Sequence, residues 1–170
     1  MGRIIVFTGK PGSGKSTLIK NSFHNNESML DIIYFARKYA KDKILHPADE
    51  ELAYREFHNE IEKTLALNEF LILEFGTGCS ELNFKKLMEW KNNHDIFIFL
   101  CDAPAGICLQ RVSERGNEFD NDGLLTRVNL DFPDGYLKLW NNNFSYQILD
   151  TTKPIPENTE IIKEKIKKIG

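Results

Sequence analysis

The sequence has few of the features that would tie it to an oxidising compartment, a membrane or a nucleic acid. It contains only three cysteines, at positions 79, 101 and 108, and no C-x-x-C pair, which argues against a disulfide framework and a thiolate zinc site. No apolar run reaches the roughly 20 residues that a transmembrane helix needs. The formal net charge is −3, so the basic excess typical of duplex-binding proteins is missing.

These absences leave an ordinary single-domain globular protein. At 170 residues, the chain is long enough to bury about two thirds of its unfolded surface around one core. The first apolar run begins at Ile4, so we expect no signal peptide. We therefore expect a cytoplasmic protein without a membrane partner, and nucleic acid is disfavoured as its main partner. The sequence leaves open whether the protein is a monomer or a homodimer.

One stretch carries a specific motif. Residues 9–17 are GKPGSGKST and match G-x-x-x-x-G-K-[ST], in which backbone N–H groups and a helix N-terminus surround a polyphosphate. The motif follows the apolar run 4–7, typical of a buried strand, and precedes a helical pattern. We expect Lys15 to reach the β- and γ-phosphates and Ser16 to bind Mg²⁺. The predicted nucleotide-binding residues are Gly9, Lys10, Pro11, Gly12, Ser13, Gly14, Lys15, Ser16 and Thr17.

The rest of the chain alternates short apolar runs with helical patterns. Strands are predicted at 4–7, 69–75, 95–101 and 146–149, with a weaker one at 28–30. Helical segments are predicted at about 14–22, 47–67, 82–92, 124–132, 136–140 and 157–169, and after Pro104, with Asp102 as the cap. This alternation predicts an α/β protein with a five-stranded parallel sheet between two helical layers.

Parallel sheets bind their ligands at the carboxyl ends of the strands. This rule selects the loop after Phe7, Asp31, the segment 74–77, Asp102 and the segment after Leu149. Within this set, Glu74 ends an apolar strand, and a buried carboxylate there needs a partner such as Mg²⁺ or a substrate hydroxyl. Thr77 follows in the same turn. The sequence therefore predicts that Glu74 either orients Mg²⁺ together with Ser16 or binds a substrate hydroxyl, and that Thr77 contacts substrate.

The motif does not by itself select one class of nucleotide enzyme. No N-K-x-D tetrapeptide is present, which argues against a GTPase. The chain length, the Arg111-x-x-x-Arg115 pair and residues 150–154, DTTKP, resemble the nucleoside-monophosphate-kinase-like group of small P-loop kinases. The resemblance implies a three-layer α/β/α P-loop fold with a small lid at about 115–135. It also implies an enzyme that uses ATP and Mg²⁺ and phosphorylates a small acceptor.

The resemblance also implies roles for residues on the ATP side. Arg111 and Arg115 share one helix face at i and i+4, and they would cover the adenine and the transferring phosphoryl group. The alternative is a solvated helix face. Arg127 is a further lid candidate. Thr152, Lys153 and Pro154 match the loop that contacts adenine after the last strand.

On the acceptor side, the resemblance implies that Asp31 is the general base for a hydroxyl acceptor, although it is equally suited to cap the following helix. Arg37 either meets an anionic group of the acceptor or faces water near the helix end. The turn Gly76-Thr77-Gly78 lacks the arginine that grips an acceptor phosphate in many relatives. This departure favours a hydroxyl-bearing metabolite or nucleoside over a nucleoside monophosphate.

Two other classes remain open. One is a regulatory ATPase that binds nucleotide to control a partner protein and has no small-molecule acceptor. The other is a polynucleotide 5′-hydroxyl kinase, against which the acidic net charge argues. The sequence does not identify the acceptor, distinguish ATP from GTP or decide whether Asp31 or Glu74 is the base.

Overall fold

The computed structural model describes residues 2–24, 27–116 and 121–169. In chain order the elements are β1 (Gly2–Thr8), α1 (Lys15–Ser22), β2 (Met29–Asp31), α2 (Ile32–Tyr39), α3 (Pro47–Leu65), β3 (Phe70–Phe75), α4 (Ser80–Trp90), β4 (His94–Asp102), α5 (Ala105–Arg115), α6 (Asn121–Val128), α7 (Asp134–Trp140), β5 (Ser145–Asp150) and α8 (Ile155–Ile169). No helix in these ranges is long and apolar enough to cross a membrane.

The five strands form one sheet in the order β2-β3-β1-β4-β5, and every pair is parallel. The central strand β1 is buried on both faces, as expected when helices cover both sides of a parallel sheet. Its Ile4 and Val6 pack with α2, α3, α4 and α7. Its Ile5 and Phe7 point to the other face and pack with α1 and α8. The predicted three-layer α/β/α P-loop fold is therefore confirmed.

Three sequence predictions about element ends were wrong. The helix predicted at 124–132 is α6, which runs over Asn121–Val128. Asp102 was predicted to cap α5, but it extends β4 and pairs with Asp150 of β5. Helix α5 begins at Ala105, with Pro104 in the N-cap position and no side-chain cap. Helix α8 begins at Ile155 rather than at Glu157, because a proline fits in the first turn of a helix, where its missing N–H costs nothing.

The predicted lid segment, about 115–135, includes residues 117–120, which lie outside the described residues. The part that is described contains the end of α5 and the whole of α6. These helices meet in a small separate cluster of Ala103, Cys108 and Val128, packed with Ile107 and Leu124. The lid itself stays a prediction, since nothing in these contacts tests whether the segment moves.

Candidate functional site

The phosphate loop packs closely against β4 on one side and α5 on the other. A Cβ on Gly12 would clash with the carbonyl oxygen of Cys108 and lie 2.9 Å from its Cα. A Cβ on Gly9 would clash with the carbonyl oxygen of Cys101. Both residues have positive φ, +76° for Gly12 and +154° for Gly9, which favours glycine. The two motif glycines therefore allow both the turn and its close approach to the scaffold.

Lys15 is the first residue of α1, and its side chain bends back across the loop. Its Nζ donates to the carbonyl oxygens of Gly9 and Lys10, at 3.1 Å in each case. The ammonium therefore lies inside the curve of the loop. Ser13 is fully buried, and its Oγ has no hydrogen-bond partner among the described residues. A buried hydroxyl without a partner is costly, and a phosphate oxygen in this loop would supply one.

The remaining motif residues surround this curve. Lys10 is buried, Pro11 and Ser16 are half-buried, and Thr17 is exposed. Gly14 occupies the N-cap position of α1 with a left-handed backbone. The loop thus curves around the Lys15 ammonium, and the role of its N–H groups in binding phosphate stays a prediction.

Glu74 joins the end of β3 to the phosphate loop. It is 5% exposed, and its Oε1 accepts a hydrogen bond of 2.6 Å from Ser16 Oγ. Its other oxygen, Oε2, is buried and lacks a partner in the described part of the chain. A hydroxyl and a carboxylate side by side are oxygen ligands suited to Mg²⁺. Since no three His, Cys, Asp or Glu side chains of the described residues converge, water and phosphate would have to complete the coordination.

Asp31 lies directly beside Glu74, because the two residues are paired in register on β2 and β3. Its Oδ1 accepts a 3.0 Å hydrogen bond from Ile33 N, which confirms that Asp31 caps α2. Burial, and then the charge of Glu74, raise the pKa of Asp31 to about 7. The Ile33 N–H and the charges of Lys15 and Arg37 oppose this rise. Capping therefore does not exclude a role as base, which stays a prediction.

Arg37 is exposed on α2, with its guanidinium 5.5 Å from the centre of the Tyr34 ring. Its charge still reaches Asp31, whose pKa it lowers. Thr77 is 8% exposed, and its Oγ1 is another buried polar atom with no partner in the described ranges. Both positions are compatible with acceptor binding, which remains a prediction for each.

Hydrogen bonds hold both ends of the turn that contains Thr77. On one side, Thr8 Oγ1 donates to Gly76 O at 3.1 Å and lies 3.5 Å from the hydroxyl of Tyr136. On the other side, Asn83 Nδ2 donates to Gly78 O at 3.1 Å. Asn83 Oδ1 lies 2.8 Å from Nε2 of His58, a residue that is 3% exposed. Sequence reasoning missed these supports, since no local pattern connects β1, α3, α4 and α7.

An arginine does lie beside this turn, although it comes from α6. Arg127 Nη2 donates to Glu50 Oε2 of α3 at 2.8 Å. A Cβ on Gly78 would clash with Glu50 Oε1 and lie 3.0 Å from Arg127 Nη1. Burial lowers the pKa of Arg127, but the hydrogen bond and charge of Glu50 outweigh this and raise it. The structure thus places the predicted lid candidate Arg127 against the Gly76-Thr77-Gly78 turn.

Arg111 connects the phosphate loop to the end of β5. Its Nη1 donates to Gly12 O at 3.3 Å and to Thr151 Oγ1 at 3.0 Å, and its Nη2 donates to Thr151 O at 2.7 Å. Thr151, which sequence reasoning passed over, also donates through its N and Oγ1 to Asp102 O. Arg115 is exposed on the last turn of α5. The catalytic roles of Arg111 and Arg115 stay predictions.

The predicted adenine segment follows Thr151. Asp150 Oδ1 accepts from Thr152 N at 3.0 Å and from Thr152 Oγ1 at 2.6 Å. Lys153 Nζ bonds to Glu157 at 2.8 Å on the exposed side of α8, whose first turn follows Pro154. Thr151 lies against the phosphate loop, 3.4 Å from a Cβ built on Gly14. The segment is therefore ordered next to the nucleotide loop, while its contact with a base remains a prediction.

Three solved structures of similar fold are far from this chain in sequence. A sugar kinase from Janibacter sp. HTCC2649 is 17% identical with a TM-score of 0.68, covering 95% of this chain and 92% of that one. Deoxyadenosine kinase from M. mycoides is 15% identical, with a TM-score of 0.70 and coverage of 97% and 99%. Shikimate kinase from Acinetobacter baumannii is 16% identical, with a TM-score of 0.61 and coverage of 99% and 95%. No curated protein matches the chain.

The comparison with protein families gives a direct assignment. The family AAA_33, described as an AAA domain, matches residues 4–131. This span runs from β1 past α6 and includes the phosphate loop, Asp31, Glu74 and the arginine pair. The chain belongs to this AAA domain family, and its fold is that of the small P-loop kinases.

Proposed function

We propose that the protein is an ATP-dependent kinase that transfers the γ-phosphoryl group to a hydroxyl of a small acceptor. The observation that carries this proposal is the register of β2 and β3, which pairs Asp31 with Glu74. Glu74 in turn accepts a hydrogen bond from Ser16 of the phosphate loop. A carboxylate suited to deprotonate a hydroxyl is therefore one strand away from the triphosphate site.

On the donor side, the loop N–H groups and the start of α1 bind the phosphates, and Lys15 offers its ammonium to the β- and γ-phosphate oxygens. Ser16 and Glu74 would hold Mg²⁺, which neutralises phosphate charge and orients the triphosphate when bound. Arg111 keeps the loop and Thr151 together. The segment of Thr152, Lys153 and Pro154 borders the adenine.

In the transfer step, the acceptor hydroxyl oxygen forms a bond to the γ-phosphorus, and the bond from that phosphorus to the bridging oxygen of ADP breaks. Asp31 accepts the hydroxyl proton, and a pKa of about 7 suits a base that works near neutral pH. Arg111 and Arg115 stabilise charge on the transferring group. Arg37 and Thr77 contact the acceptor.

The test is a screen for nucleoside diphosphate release, ADP from ATP or GDP from GTP, across nucleosides, nucleoside monophosphates, sugars and other hydroxyl-bearing metabolites. We expect one chemical class to accelerate diphosphate formation well above the rate without an acceptor, and the phosphorylated product to appear in equal amount. Uniformly slow phosphate release that no compound accelerates would contradict the proposal.

A regulatory ATPase is the second candidate, and one observation favours it. The hydrogen bond that Ile33 N donates to Asp31 Oδ1 accounts for this carboxylate as a helix cap, with no phosphoryl acceptor required. This alternative predicts slow hydrolysis and a protein that binds only one nucleotide state. Affinity capture in ATP and in ADP, with the acceptor screen, distinguishes it from a kinase. A gel shift with DNA and RNA tests the polynucleotide kinase.

A further inference from the structure

Arg127 lies beside the Gly78 turn, and its positive charge is already paired with a carboxylate of the protein, that of Glu50. Arg127 of α6 and Glu50 of α3 form an ion pair at 2.8 Å directly beside Gly78. Their side chains are 33% and 14% exposed, respectively. The other ion pairs found in the described ranges have at least one side chain that is 37% or more exposed. The Glu50–Arg127 pair is thus unusually shielded from water.

We propose that Glu50 determines acceptor specificity by holding Arg127, so that the pocket admits uncharged hydroxyl compounds and excludes acceptors with an anionic group near the Gly78 turn. The inference rests on the proposed kinase function and narrows its substrate class. It concerns the turn at which the sequence lacks an arginine, and it explains why the arginine from α6 does not restore an anion site there.

The side chains of Glu50 and Arg127 both occupy the space beside Gly78, where a built Cβ would clash with Glu50 Oε1 and lie 3.0 Å from Arg127 Nη1. An anion that approached Arg127 from the turn would compete with Glu50 for the guanidinium, and Glu50 would have to move aside. A displaced Glu50 would remain in a partly buried site beside Tyr54, which is 2% exposed, without its cationic partner. Leaving a shielded charge unpaired is strongly unfavourable.

Electrostatics also opposes an anion here. Besides Glu50, the carboxylates of Asp31 and Glu74 lie at the same end of the sheet, paired on adjacent strands. Arg37 is exposed on α2, and its charge lowers the pKa of Asp31. An incoming anion therefore meets the carboxylates of Asp31 and Glu74, while Arg127 is already paired with Glu50. An uncharged polyol or nucleoside meets no such opposition, and its hydroxyls can donate to these carboxylates.

The competing explanation is that the pair only clamps α3 to α6. If the ion pair only joins the two helices, loss of Glu50 should lower the stability of the fold without creating an anion site. If Glu50 instead keeps anions away from Arg127, removal of its carboxylate should create an affinity for anions that depends on Arg127. The two explanations therefore differ in a binding measurement that does not require any transfer activity.

The experiment uses the whole protein saturated with Mg²⁺ and ADP, so that the phosphate loop is filled, and titrates inorganic phosphate. Wild type, Glu50→Gln, Glu50→Asn and the double variant Glu50→Gln/Arg127→Gln are compared by calorimetry and by the amide shifts of Gly78 and Cys79. Glu51→Gln is the matched control, because Glu51 is the next residue of α3, is 50% exposed and pairs with Arg55. Thermal unfolding shows which variants are folded. Two neutral replacements of Glu50 are included so that the test can still be made if one of them does not fold.

We expect phosphate to bind either neutral Glu50 variant at least about tenfold more tightly than wild type, with shifts at Gly78. We expect Glu51→Gln to resemble wild type and the double variant to lose the gain. Wild type that binds phosphate at Gly78 as tightly as the variants would overturn the proposal. So would a gain that persists without Arg127.

The acceptor screen separates this inference from the proposed function. If the protein is a kinase, wild type should prefer an uncharged acceptor over the phosphate ester of that acceptor. The ratio of the two kcat/KM values should fall about tenfold in Glu50→Gln. If no compound is phosphorylated but the phosphate gain appears, the kinase proposal fails and the masking of Arg127 stands. If transfer occurs but no variant gains phosphate affinity, the kinase stands and the role of Glu50 is refuted.

Discussion

The two halves of the site are built in different ways. The donor half is centred on nine consecutive residues, 9–17, whose backbone packs closely against β4 and α5. The acceptor half is assembled from β2, β3, α2, α3 and α6, and its ion pair joins residues 77 positions apart. The donor half therefore depends on backbone shape, which few sequences satisfy. The acceptor half depends on individual side chains, so single substitutions can change its chemistry while the fold persists.

The halves also differ in charge. The donor half combines Lys15, Arg111 and the N-terminus of α1, all of which attract phosphate. The acceptor half combines Asp31 and Glu74 with the neutralised pair of Glu50 and Arg127. The proposed kinase would therefore bind a polyanion on one side of Glu74 and disfavour a second anion on the other.

The largest effect is expected on the donor half. Lys15→Ala removes the ammonium in the curve of the loop, and we expect transfer to fall about 10³-fold or more, because a preorganised charge at the reacting phosphates is lost. ADP formation and nucleotide affinity measure the effect. Lys20→Ala, an exposed lysine in the last turn of the same helix, is the control. Full-rate transfer in Lys15→Ala would remove the basis of the kinase proposal.

On the acceptor half, Asp31→Asn should lower transfer about 10²-fold and leave ATP affinity unchanged, because the base is lost while asparagine remains a good helix cap. In wild type, kcat/KM should rise with pH through about 7, where Asp31 ionises. The variant should lack this rise. Transfer at the wild-type rate would leave Asp31 with its capping role alone.

The same substitution should have the opposite effect on stability. The pKa of Asp31 is raised from 3.8 to about 7 in the folded protein, so the protonated carboxyl favours the folded state. That contribution is complete below pH 4 and is lost as the pH rises through 7. The asparagine in Asp31→Asn cannot ionise. Urea unfolding of the apo protein should therefore show a larger relative stability of the variant at pH 8 than at pH 5.

The same contrast explains how far sequence reasoning reached. The parallel sheet and its two helical layers follow from alternating apolar runs, and the motif places the phosphate loop, because both signals are local. The end of β4 was mispredicted because the pairing of Asp102 with Asp150 overrides the capping preference of an Asp-Ala-Pro sequence.

The contacts that support the Gly76-Thr77-Gly78 turn could not be predicted from the sequence. Nothing local in the sequence links Glu50 to Arg127, or His58 to Asn83 and Gly78, since these contacts exist only after α3, α4 and α6 have packed. Thr151 is different, because it lies inside the 150–154 segment that carries the family resemblance. Its position at the end of the last strand was a usable signal that it would face the phosphate loop.

At the boundary between the halves, Glu74→Gln tests the metal site. The change keeps the shape but removes the negative charge beside Ser16, and we expect the Mg²⁺ concentration for half-maximal transfer to rise about 10- to 100-fold. A titration with Mg²⁺ at saturating ATP measures this. Glu89→Gln, on the exposed face of α4, should leave the requirement unchanged. An unaltered requirement in Glu74→Gln would show that Glu74 serves the acceptor instead.

The smallest effect is expected at Arg111, where the question is whether it positions the nucleotide or stabilises the reacting group. Arg111→Lys keeps the charge but loses the two-pronged contact with Thr151, and we expect KM for ATP to rise about fivefold, the equivalent of one net hydrogen bond. Turnover at saturating ATP should change less than twofold, because lysine keeps the positive charge that stabilises the transferring group, and Arg55→Lys, at an exposed pair, should change neither. If turnover falls while KM stays constant, the planar guanidinium of Arg111 is itself required by the phosphoryl group in transit, beyond its charge and its contacts with Gly12 and Thr151.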